Sequence, residues 1–87
     1  MPEEDKKYSK QLLGRTVVTK SGKRFGEVGN ITFESRTGEL IHLVLKSPTS
    51  YTEGLELERD PHGDLLIPFS SVIAVGDFVV VSEEDIL

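Results

Sequence analysis

Apolar positions along this chain fall in short runs cut by turn residues, and no stretch of about a dozen residues carries them at helical spacing. Helix content is therefore expected to be low. Ser21-Gly22 separates the β-branched run Thr16-Val17-Val18-Thr19 from a segment spanning Phe25 to Phe33, and Thr37-Gly38 separates that segment from Leu40 to Leu45. These three strands read as a meander. Ser47 to Gly54, with Pro48 and several hydroxyl residues, reads as an irregular loop with no need of rigidity. Asp60-Pro61-His62-Gly63 suits a type I turn, which would set Leu55 to Arg59 against Asp64 to Ile67 as a hairpin ended by Pro68. Phe69-Ser70-Ser71 suits one turn of 3₁₀ or α helix. Val72 to Val75 would then join Phe78 to Val81 through Gly76-Asp77, a pair suited to a tight II′ turn. The reading is an all-β domain of about six short strands, curled into a closed or nearly closed barrel that hides its strand edges.

Two of the strands depart from the alternation a barrel wall needs. Leu40 to Leu45 and Phe78 to Val81 are almost wholly apolar, so something must cover their outer faces. If Ile41, Leu43 and Leu45 point inward, a period of two sends Leu40, His42 and Val44 outward with Lys46. On the other strand the phase is open: either Phe78 and Val80 or Val79 and Val81 lie outside. Large apolar patches mark contacts, which makes Leu40, His42, Val44, Phe78 and Val80, with the tail residues Ile86 and Leu87, the candidate interface. A homodimer would bury the same strip twice. Another protein could cover it instead, as could a terminal segment or the 47–54 loop of the same chain.

Composition narrows the partners. With 87 residues there is room for one domain, whose thin core would gain from a partner surface. A net charge of −5 argues against direct nucleic-acid binding, which clustered Lys and Arg would have to carry. Lys20, Lys23 and Arg24 read as solvated residues beside a turn. The charged stretch Met1 to Lys10 is no secretory signal, and Pro68, Ser70, Ser71, Gly76 and Asp77 interrupt the one run, Leu65 to Val81, that could be mistaken for a membrane span. The division expected is a flexible arm over 1–11, the barrel over 12–81 and an acidic tail over 82–87. Absence of cysteine points to an intracellular, cytoplasmic setting.

No residue pattern in the sequence marks a catalytic or metal site. His42 and His62 stand apart without metal-ligand spacing, and no Gly-x-Ser-x-Gly elbow accompanies the serines. Gly22, Gly26 and Gly29 lack the spacing and following helix of a phosphate loop and fit turns, bulges and close strand packing. Glu56, Glu58 and Asp60 form a solvated acidic stripe, and the Asn30-Ile31-Thr32 sequon lies inside a strand. No catalytic residue, cofactor or metal is expected, and the chain reads as a binding module without enzymatic activity.

One family accounts for the order of these pieces. Leu13-Gly14-Arg15-Thr16-Val17-Val18, then Gly22, then Phe25-Gly26-Glu27-Val28-Gly29-Asn30-Ile31 and Gly38-Glu39-Leu40-Ile41-His42-Leu43-Val44-Leu45 resemble the opening half of a PRC-barrel, the photosynthetic reaction-centre barrel domain. Leu66-Ile67-Pro68-Phe69-Ser70-Ser71-Val72 and Val75-Gly76-Asp77-Phe78-Val79-Val80-Val81 resemble its ending, so the likeness runs from about Leu12 to Val81. Asn30 stands where that family often has Asp. The resemblance implies a six-stranded barrel with one short helical turn near Phe69 to Ser71, used for binding rather than catalysis. Family members serve in a reaction-centre subunit, in a ribosome-maturation factor as its protein-binding half, and as minimal stand-alone archaeal proteins, the kind this chain resembles. That likeness implies a dimeric adaptor of archaeal-type cell division. Its partner would be a SepF-like anchor of the division ring or a second PRC-barrel protein, and it would reach the membrane only through that partner, at the division site. The alternative is a ribosome-assembly or RNA-processing factor that acts through a ribosomal protein.

Overall fold

A computed structural model of the chain describes residues 12–86. Along it run β1 (Thr16–Thr19), β2 (Arg24–Phe33), β3 (Leu40–Lys46), a short helix α1 (Ser50–Glu53), β4 (Leu66–Pro68), a 3₁₀ turn (Phe69–Ser71), β5 (Val72–Val75), β6 (Phe78–Val81) and a short helix α2 (Glu83–Ile86). The six strands form one mixed sheet in the order β4-β3-β2-β1-β6-β5. All neighbours are antiparallel except β1 and β6, which pair in parallel from Thr16↔Phe78 to Thr19↔Val81. That pairing joins the two halves of the chain, and no local turn signal announces it. The sheet curls until its end strands, β4 and β5, are linked by the single 3₁₀ turn.

Side chains from both halves meet inside the curl. Phe25, Val28, Ile31, Leu43, Leu45, Ile67, Val79 and Val81 share one core with Leu12, Val17, Leu57 and Leu65. Each such burial contributes on the order of 1.5–3 kcal/mol before the entropy of ordering is counted. On β6 the open phase resolves: Val79 and Val81 are fully buried, and Phe78 and Val80 lie outside. On β3 the two-residue rule holds only in part. Leu43 and Leu45 are inside as expected, but Ile41 is 38 % exposed and Leu40 packs partly against the core. The β2–β3 register shifts between Thr32 and Phe33, and beyond that irregularity the faces exchange.

Glycines allow β2 and the end of β3 to close tightly. Gly26 has φ +151°, and a Cβ there would come within 3.1 Å of the Lys46 carbonyl and the Pro48 backbone. At Gly29 a Cβ would lie 2.9 Å from that of Lys46. Close strand packing, expected from the sequence, is the use these residues have.

Two local expectations need correction. The 47–54 stretch is not a free loop: Ser50–Glu53 is helical, with Thr49 as its N-cap accepting from Thr52 N–H. Thr49 Oγ1 donates to the Arg24 carbonyl at 2.7 Å and Thr52 Oγ1 to the Phe25 carbonyl at 2.6 Å, which fastens α1 to β2. Nor is Gly76-Asp77 a II′ turn, because Gly76 lacks the positive φ that type requires. The 60–63 turn forms as expected, with Asp60 Oδ1 accepting from the backbone N–H groups of His62 and Asp64. Its incoming leg is reduced to one bridge, Arg59↔Leu65.

Candidate functional site

Strand register builds a continuous apolar outer surface on one side of the molecule. Val17 and Thr19 of β1 are buried, so Thr16 and Val18 face out. Parallel pairing sets Thr16 beside Phe78 and Val18 beside Val80, and the antiparallel pairing of β5 adds Ala74 to the Val80 row. Phe78 is 54 % exposed, Ile73 53 % and Val75 41 %. Ile73 stands at the register shift between Val72 and Ala74. The rim carries the Arg15–Asp77 ion pair at 3.6 Å, an exposed contact of little energetic weight.

Of the residues the sequence singles out, only Phe78 and Val80 lie in this surface. Leu40 leans on the core at the far end of β3. His42 is half-buried and engaged within the protomer. Its backbone N–H donates to Thr32 Oγ1 at 3.1 Å, its Nδ1 lies 3.4 Å from the same oxygen, and its Nε2 lies 3.4 Å from Glu58 Oε1. Val44, expected to project outward, is only 9 % exposed, enclosed in a groove of about 600 Å³ with Asn30, Thr32, Arg59 and Asp64. Ile86 packs its side chain on the chain's own core. Leu87 lies outside the described residues. Ile73 belongs to the exposed surface and Val75 is exposed at the sheet's edge on the Val79 side, although the hydrophobic pattern alone does not single them out. A signal for them exists: Val72 to Val75 is a four-residue strand without a charge or a proline.

A second cluster holds the two short helices together. Tyr51 Oη donates to Glu83 Oε2 across α1 and α2, its ring lies 5.9 Å from that of Phe25, and Lys23 Nζ sits 5.6 Å above it. The hydrogen bond to Glu83, with some desolvation and the nearby negative charge, raises the Tyr51 pKa above its ordinary value. Among the described residues no group of three His, Cys, Asp or Glu side chains is placed to hold a metal ion, and no helix is long and apolar enough to cross a membrane.

In comparison with known proteins, residues 4–85 match the PRC-barrel domain family. The chain is also 28 % identical over 82 residues to the uncharacterized protein MJ1118 of Methanocaldococcus jannaschii, an alignment that covers 94 % of this chain and 88 % of that one.

Proposed function

The chain belongs to the PRC-barrel domain family, and on that premise we propose that it is a non-catalytic adaptor that binds protein through the outer apolar face of β1, β6 and β5. The observation that carries this reading is Phe78, an aromatic ring left half-exposed beside Thr16, on the same face of the sheet as Val18, Val80 and Ala74, rather than turned into the core. Aromatic residues of this kind supply the anchors of protein interfaces. A second copy of the chain is the first occupant to consider, since a two-fold pair covers the strip on both molecules at once.

The finer reading is a dimeric adaptor of archaeal-type cell division whose partner is a SepF-like anchor of the division ring or a second PRC-barrel protein. An archaeal relative and the family resemblance support the lineage of that assignment. Affinity capture from native extract, with the intact chain and a Phe78→Asp variant as baits, tests it. Division-ring components should be retained by the first and lost from the second. Ribosomal subunits retained through moderate salt would instead favour a role in ribosome assembly.

A further inference from the structure

The two ends of the sheet are protected very differently. β4 has three residues, ends in Pro68, and is flanked by the segment before it, through the Arg59↔Leu65 bridge and a hydrogen bond from Leu66 N–H to the Glu58 carbonyl. β5 has none of these devices. It closes the strand order, no described strand lies on its far side, and Val72-Ile73-Ala74-Val75 offers no charge or proline to repel an incoming strand. Because Gly76 N–H donates inward to the Phe78 carbonyl, alternation along the strand turns the N–H and C=O of Val75 away from β6.

Charge decides what the edge can accept. At the Val75 end stands Asp77, whose side chain is fully exposed and 3.6 Å from Arg15. At the Val72 end α2 brings Glu83, Glu84 and Asp85, since Ser82 N–H donates to the Ser71 carbonyl, and Lys20 lines a surface groove together with Glu83 and Glu84. A two-fold pairing of two β5 edges is antiparallel, so it would press the Asp77 end of each copy towards the acidic α2 end of the other. Arg15 offsets Asp77 at one end, so the larger acidic charge lies at the α2 end, where Lys or Arg of an incoming segment is favoured.

From this edge we infer that β5 accepts, by strand addition, an extended segment of a partner protein that is apolar at alternate positions and flanked by Lys or Arg. The inference rests on the adaptor reading and names the chemistry of the partner. An edge of four residues is far smaller than the roughly 1,600 Å² of a standard interface between globular proteins. It suits a peptide main chain, whose hydrogen bonds supply affinity while alternate side chains supply specificity. Ile73 and Phe78 offer those side chains exposed apolar surface, with Val75 on the opposite face of the strand from Phe78, beside Val79.

Fluorescence anisotropy on the full chain tests the inference with two labelled peptides, Lys-Arg-Val-Thr-Val-Thr-Val-Arg-Lys and Glu-Asp-Val-Thr-Val-Thr-Val-Asp-Glu. The basic peptide should bind at least about tenfold more tightly, with a gap that narrows as salt rises. Val75→Pro removes the outward donor at an edge position that tolerates proline, and should weaken the basic peptide at least about tenfold with an unchanged circular dichroism spectrum. Should Val75→Pro fail to fold, Ile73→Lys, at an exposed site, should weaken the basic peptide more than the acidic one. Equal binding of the two peptides, no binding of the basic one, or full binding by both variants would overturn the inference. So would a chain that ignores both peptides yet loses a dimer on Val75→Pro, because a second copy would then be the occupant. If Phe78→Asp still abolishes protein capture while neither peptide binds, the strand-addition inference fails and the adaptor reading stands.

Discussion

Single residues show where the core ends and the outer surface begins. Leu43 is wholly inside, and Leu43→Ala should lower the unfolding free energy by about 2–5 kcal/mol in urea titrations. Its neighbour Val44 looks like a surface position on the period of two, but it is only 9 % exposed, where a charge would lose most of its hydration. Val44→Asp should therefore destabilise the monomer by at least about 2 kcal/mol rather than act on association alone. Urea midpoints of the two variants check both expectations. Tyr51 gives a test in pH. Its raised pKa means that the folded state favours the neutral phenol, so the contribution of its bond to Glu83 is fully present below the ordinary tyrosine range near 10 and lost as pH rises through the folded value. Alkaline stability scans should show that loss in the parent chain and not in Tyr51→Phe. The sequence alone could not phase Phe78 to Val81, because four apolar residues in a row carry no alternation; their partners across the sheet decide it.

At the scale of elements, turn chemistry was legible and long-range pairing was not. Asp60 to Gly63 and the strands around Ser21-Gly22 and Thr37-Gly38 follow local rules that the residues state openly. Helix α1 escaped notice because four residues are too few for a periodic signal and its support is remote: hydroxyls of Thr49 and Thr52 reach carbonyls of β2 from across the chain. Thr52→Val should remove that anchor while Thr49 N–H still donates to the Phe25 carbonyl, and cost about 0.5–1.5 kcal/mol. Hydrogen exchange should then quicken across residues 50–55 ahead of the sheet. The parallel β1–β6 pairing was equally silent in the sequence, and it is what sets Val18 beside Val80 and so creates the outer face.

For the whole molecule, the proposed association rests on apolar side chains on both sides of β6 and on a β5 edge that no described strand covers. The presence of an outer strip was readable from Phe78 to Val81, whereas its extent was not. Leu40, His42 and Val44 are used within the protomer, and Ile73 and Ala74 of β5 are exposed instead. The most direct test is sedimentation velocity over a range of concentrations on the intact chain and on Phe78→Asp. The parent should sediment as a dimer and the variant as a folded monomer. A parent that stays monomeric at the highest concentration, or a variant that remains dimeric, would contradict the account.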